Sequence, residues 1–185
     1  MERVKKYIKV IVIMAVAAGL LYGIAVSYRM GFRNSILEGL KFGITWGIIM
    51  ALILIPLDYL MTKKIPVGAL NVHQEREIQV KGALDETFHK CAEMLKSCET
   101  IKSVSFSKDA LLISGRTEAS LVSFGEKITL HFQKLTNGII KIQISSNPVV
   151  RFTLLDYGKN FRNVELIRKK IEGIFIPSSP SRQRP

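Results

Sequence analysis

KITLHFQKLTNGIIKIQIS, residues 127–145, decides the fold. Ile128, Leu130 and Phe132 alternate with Thr129, His131 and Gln133, and Ile140, Ile142 and Ile144 alternate with Lys141, Gln143 and Ser145. Strict alternation is the mark of a half-buried strand, because successive side chains point to opposite faces. Asn137-Gly138 lies between the two runs. A type I′ hairpin turn needs φ > 0 at both central residues, and Asn-Gly supplies it. The stretch therefore predicts two antiparallel strands with one apolar and one polar face. Thr129, His131, Gln133, Lys141 and Gln143 are expected to share the polar face, which is either solvated or a docking surface.

An apolar sheet face needs a cover, and the flanking sequence offers two helices. In LDETFHKCAEMLKSC, residues 84–98, the residues Leu84, Phe88, Cys91, Leu95 and Cys98 form one stripe at helical spacing. Glu86 and Lys90 make a supporting pair on the other face. From Phe161 onward, Val164, Ile167, Ile171 and Ile174 repeat at 3-4-3 and predict a second helix of about three turns, with Asn160 or Asn163 as its N-cap. QEREIQV (74–80), SVSFS (103–107), ALLIS (110–114, after a Lys108-Asp109 turn) and VVRFTLL (149–155) read as further extended runs. The expected domain, residues 67–176, is α+β: a small, mostly antiparallel sheet with two packed helices. The Pro/Ser-rich basic tail, 177–185, is expected to be disordered.

The first 66 residues have a different character. Residues 10–26, VIVIMAVAAGLLYGIAV, carry no charge, and residues 42–61, FGITWGIIMALILIPLDYLM, carry only Asp58. A bilayer core takes a helix of ~20 apolar residues. Two such runs predict a membrane anchor over 1–66, a transmembrane hairpin with helices at about 8–28 and 42–61. Arg3, Lys5, Lys6 and Lys9 also suit the n-region of a cleaved signal peptide. The length of the run and the second run behind it favour a span. Ala15, Gly19 and Gly23, and then Gly39, Gly43 and Gly47, recur every four residues and form two smooth grooves. Such grooves let helices approach closely in lipid. They predict packing within the hairpin, with a homo-oligomer as the second reading. Asp58, about a turn from Lys63 and Lys64, is expected to be solvated or paired with a lysine.

Charge gives the topology. Four basic residues precede the first span and Lys63 and Lys64 follow the second, against Arg29, Arg33 and Lys41 between them. The positive-inside bias then places both termini and the soluble domain in the cytoplasm, at the inner membrane. Net charge is +12, with nine Lys/Arg against three Asp/Glu in residues 1–66 and eighteen against twelve in the rest. That excess suits the surface of an anionic lipid bilayer. No basic stripe interleaves with aromatics, so nucleic acid is not an expected partner. A protein partner is.

Cys91 and Cys98 stand seven apart, roughly 10 Å along a helix, too far for a disulfide. They read as small core hydrophobes. His73, His89 and His131 have no metal-ligand spacing, and no cofactor is expected.

The most site-like run is DYGKN, residues 156–160. Asp156 can bond turn amides and Gly158 suits a left-handed turn, so each polar residue has a structural job available. RTEASLVSFGEKITLHF, IIKIQISS and DYGKNFRNVELI in that order resemble an uncharacterised bacterial domain-of-unknown-function family. Its members have a Thr-containing strand, a strand ending in serines, and an Asp-x-Gly-x-Asn lead-in to a last helix. The matching positions are Thr117, Ser145, Ser146, Asp156, Gly158 and Asn160. The family often has an Asp pair where this chain has SFGEK, residues 123–127. The resemblance implies no activity.

No phosphate loop, nucleophile elbow, metal cluster or spaced acid pair is present in the sequence. Asp156 with Lys159, or Glu126 with Lys127 near Thr117, are the pairs from which a polar enzyme site could be assembled. Arg116, Lys127, Asp156, Lys159, Asn160 and Arg162 are the candidates for an anionic ligand or lipid headgroup. The favoured expectation is a membrane-anchored cytoplasmic interaction module, a scaffold or accessory subunit without catalytic chemistry.

Overall fold

The computed structural model describes residues 2–66, 71–120, 123–150, 153 and 155–175. They fall into two units, Met1–Leu70 and Asn71–Pro185. The tail expected to be disordered lies outside the described residues.

The first unit is a helical hairpin of α1 (Glu2–Met30) and α2 (Phe32–Thr62). Gly31 alone separates them, at φ +76°, a backbone region that glycine enters without steric cost. Both helices run past the apolar stretches that predicted them. Once nucleated, a helix propagates through polar residues as well, so α2 starts at Phe32 and contains Arg33 and Lys41, the latter paired with Glu38 at 2.8 Å. Each is long and apolar enough to cross a membrane.

The two small-residue grooves face each other. A Cβ added to Gly19 would sit 2.7 Å from the carbonyl oxygen of Gly39, and one on Gly39 the same distance from that of Gly19. At Gly43 it would meet the carbonyl oxygen of Ala15. On one flank of this seam Tyr22, Phe42 and Trp46 stack, with ring centroids 4.4 and 6.2 Å apart. At the open end the expectation for Asp58 changes. Its carboxylate is buried and receives Lys6 Nζ at 3.1 and 3.2 Å and the Tyr7 hydroxyl at 2.9 Å. Its partner is thus a lysine across the seam, while Lys63 and Lys64 are exposed at the end of α2.

The second unit is a five-stranded antiparallel sheet covered by two helices on one face, the α+β arrangement read from the sequence. Its elements are β1 (Gln74–Lys81), α3 (Leu84–Lys96), β2 (Ile101–Ser107), β3 (Leu112–Thr117), β4 (Glu126–Lys134), β5 (Ile139–Pro148) and α4 (Lys159–Phe175). The spatial order is β1-β5-β4-β3-β2. The chain crosses from one edge to the other through α3, then returns as a meander until β5 pairs with β1. Asn137 (φ 61°) and Gly138 (φ 69°) make the turn between β4 and β5.

Alternation sorts the sheet. Ile113, Ile128, Leu130, Phe132, Ile140, Ile142 and Ile144 face the helices and are almost fully buried, against Phe88, Cys91 and Leu95 of α3 and Val164, Ile167 and Ile171 of α4. Phe88 and Phe132 meet at a ring distance of 5.2 Å. Both cysteines are free and buried, with Cys98 just beyond the end of α3. Three readings need correction. β3 begins at Leu112, because Leu111 (φ 49°) belongs to the preceding turn. Ile174 is exposed, and Phe175, four residues after Ile171, ends the α4 stripe against the core instead. Finally, the run at 149–155 does not continue as a strand where it is described: β5 ends at Pro148, and the Thr153 amide folds back to the Val150 carbonyl at 3.1 Å.

Replacing Gly43 by Leu should force the hairpin apart and lower its melting temperature in detergent by several degrees. Gly173→Ala, on α4 with open space around it, should raise the stability of the second unit by about 0.5–1 kcal/mol. Circular dichroism melts of the full chain check both.

Candidate functional site

One end of the sheet gathers the polar residues that the alternation would otherwise have made apolar. Glu126 opens β4 in phase with Ile128, Leu130 and Phe132, and therefore points to the core face. Ser146 stands in phase with Ile140, Ile142 and Ile144. Thr117 ends β3 on the same face as Ile113. All three are buried, Glu126 completely.

A buried carboxylate is costly unless paired and hydrogen-bonded. Glu126 has both kinds of partner. Thr117 Oγ1 donates to its Oε2 at 2.5 Å, Ser123 Oγ donates to its Oε1, and Lys159 Nζ lies 3.0 Å from Oε2. The Glu126 amide in turn donates to Thr117 Oγ1 at 2.8 Å. Gly125, at φ +91°, lets the backbone fold in tightly; a Cβ there would come 2.8 Å from the Thr117 carbonyl oxygen.

Beside this cluster, Asp156 organises the start of α4. Its Oδ1 accepts from the Gly158 amide at 3.1 Å, and its Oδ2 from the amide and the side-chain nitrogen of Asn160 at 2.9 and 3.0 Å. The first amides of a helix lack intrahelical partners, and Asp156 supplies one. Asp156 is thus the capping residue, which corrects the reading of Asn160 or Asn163 as N-cap. Asn160 lies inside the first turn, buried, and accepts from Ser146 Oγ at 2.6 Å; Asn163 donates to the same oxygen at 3.3 Å. The Asp156 network fixes α4 to β5, and Lys159 fixes it to β4.

The six candidate ligand residues do not converge. Asp156, Lys159 and Asn160 lie on the helix-covered side, bonded to the domain's own groups. Arg162 donates to the Tyr157 carbonyl at 2.8 Å. Arg116 and Lys127 are register partners on β3 and β4, exposed on the opposite, uncovered face. The reason is the one-residue offset from Thr117 and Glu126. Likewise the pairs proposed for catalysis dissolve: Lys159 joins Glu126 rather than Asp156, and Lys127 faces away from Glu126. Of the positions that carried the family resemblance, Thr117, Ser146, Asp156, Gly158 and Asn160 all meet at this sheet end, while Ser145 faces the open side.

Glu126 was the residue hardest to value from the sequence. Its signal was its phase, a carboxylate in register with an apolar row. Among the described residues no group of three His, Cys, Asp or Glu is placed to hold a metal ion. Burial pushes the Cys91 thiol up to about 12 from an ordinary 9.0, so it carries no nucleophilic thiolate near neutral pH.

No protein-family model matches the chain, and no curated protein matches it. Among solved structures it is similar to an uncharacterised protein from Bacillus thuringiensis, at 9% identity and a TM-score of 0.31, over 53% of this chain and 91% of that one. It is also similar to the di-domain ARO/CYC StfQ of the steffimycin biosynthetic pathway, at 10% identity and a TM-score of 0.31, over 77% of this chain and 58% of that one.

Two outcomes are expected. Asp156→Ala should cost about 1–2 kcal/mol, the typical worth of a helix cap, and Asp156→Asn should recover much of it; an unchanged melt on Asp156→Ala would mark the cluster as poised for a ligand. A thiol reagent at mildly alkaline pH should label neither cysteine in the folded chain and both after denaturation.

Proposed function

We propose that this chain is a membrane-anchored interaction module: the hairpin holds it in a bilayer and the sheet domain docks a protein partner. One observation carries the anchor. Only 6% of the most apolar window of α1 and 11% of that of α2 is buried. A core helix of a soluble protein hides its apolar side chains, whereas here the aliphatic residues point outward and the glycines point in. That inversion suits a lipid solvent, where close packing rather than water exclusion holds helices together.

The charge bias supports an orientation with both termini and the domain on the cytoplasmic side. Docking is supported by the sheet face opposite α3 and α4, where Thr129, His131, Gln133, Lys141 and Gln143 stand together. The clasp around Glu126 and Asp156 serves the fold, since its acceptors are taken by the domain's own donors. An anionic ligand held jointly by Arg116, Lys127, Asp156, Lys159, Asn160 and Arg162 is disfavoured by their division between two faces.

Alkaline carbonate extraction should leave the full chain in the membrane pellet, and release into the supernatant would refute the anchor. A photo-crosslinking residue at His131 should give a discrete adduct in cells, and one at Lys170, exposed on α4, should give none. Absence of an adduct at His131 would remove the docking face.

A further inference from the structure

The end of the sheet that carries the Glu126 clasp is also the end where the chain joins the domain. Gln74, the first residue of β1, pairs in register with Ser146 near the end of β5. His73 Nδ1, just before it, lies 2.8 Å from Asn147 Oδ1. Antiparallel pairing brings the end of β3, the start of β4 and the start of α4 to this same end. Two connections leave the sheet here, between β3 and β4 and between β5 and α4. They are joined by a hydrogen bond from the Val149 amide to the Gly125 carbonyl at 3.0 Å.

Next to that bond stand two exposed apolar side chains. Phe124 is 73% exposed, a large value for an aromatic in a sheet domain, and Val150 is 37% exposed. Single exposed hydrophobes are ordinary on protein surfaces. These two flank the residues that this backbone hydrogen bond joins, and basic residues stand on the neighbouring strands. Arg116 and Lys127 are exposed there, and the carboxylates closest in sequence are taken, Glu118 by Lys102 at 2.5 Å and Glu126 by Lys159. Neither Arg116 nor Lys127 makes an ion pair among the described residues.

We propose that this end of the domain is a lipid-contacting surface, with Phe124 and Val150 dipping into the bilayer interface and Arg116 and Lys127 meeting anionic headgroups. The proposal rests on the anchor reading. Between the end of α2 and β1 lie residues 63–73, which even fully extended reach only about 40 Å. A linker of that length keeps the domain within reach of any bilayer that holds the hairpin. Aromatic side chains favour the headgroup level, and basic ones gain from an anionic leaflet. The division of the basic candidates is then meaningful: Lys159 is spent on the clasp, and Arg116 and Lys127 remain for the surface.

The test uses the full chain reconstituted in phosphatidylcholine–phosphatidylglycerol bilayers. Trp46 is the sole tryptophan, so Trp46→Phe gives a silent background. In it, Phe124→Trp serves as probe. Phe106→Trp serves as control, at an exposed position toward the other end of the sheet. The Phe124→Trp probe should emit blue-shifted light and be quenched by brominated acyl chains, while the Phe106→Trp control stays open to aqueous acrylamide. Adding Arg116→Glu and Lys127→Glu should reduce that quenching in anionic bilayers. A Phe124→Trp probe no better quenched by brominated lipid than the control, in a chain that carbonate leaves in the membrane, would overturn this surface and leave the anchor intact. Release by carbonate would overturn both.

Discussion

Strands give the sheet domain its governing constraint: neighbouring residues look in opposite directions, so every position is committed to one of two faces. On β4 the even residues 126–132 enter the core and the odd residues 127–133 leave it. One carboxylate in the inward row, Glu126, cannot be left alone there. The fold answers with two hydroxyls and an ammonium. Those partners come from β3, the loop after it and α4, so satisfying one buried charge also ties three parts of the chain together. Breaking such a pair from one side typically costs about 3–5 kcal/mol, because the remaining group keeps its desolvation. The value of the cluster lies in fixing where α4 starts.

The hairpin obeys a different constraint. With aliphatic side chains outside, its two helices hold each other through backbone-to-backbone contact along Ala15, Gly19, Gly23 and Gly39, Gly43, Gly47. Contacts that close tolerate no side chain, and so the register of the pair is set by where glycine occurs. At the open end a second determinant appears, the Lys6–Asp58 pair with Tyr7. A buried ion pair adds little net stability but penalises misalignment, which would strand a charge. Glycine spacing sets the register along the seam, and the ion pair holds it at the end.

Much of this was legible in the sequence, for reasons of period. The β4–β5 hairpin follows from alternation and Asn137-Gly138, the helices over the sheet from their stripes, and the hairpin seam from the four-residue spacing of small residues. What escaped was determined by contacts between distant segments. Asp58 lies close in sequence to Lys63 and Lys64, yet Lys6 pairs with it, because α1 runs alongside α2. Asn160 resembles an N-cap locally, but the chain approaches α4 through a turn with Tyr157 and Gly158 at positive φ, which puts Asp156 at the cap and Asn160 beneath it. The candidate ligand set is divided between two faces for the simplest reason. Thr117 and Arg116, or Glu126 and Lys127, are adjacent in sequence and on opposite sides of the sheet.

The internal satisfaction of α4 connects the clasp to the proposed lipid surface. A helix that begins at a water-exposed end can turn its first amides to solvent, giving up only the ~0.5–2 kcal/mol that a side-chain cap is worth. A helix that begins beside lipid has no such recourse, and each orphan amide there costs free energy. At the start of α4 Asp156 takes the amides of Gly158 and Asn160, its carbonyl takes that of Lys159 at 2.9 Å, and Ser146 and Asn163 close the side-chain network beneath. The lysine that opens the helix turns inward to Glu126 instead of outward to water. The start of α4 is closed by the domain's own groups, which is what the proposed lipid surface beside Phe124 and Val150 would require.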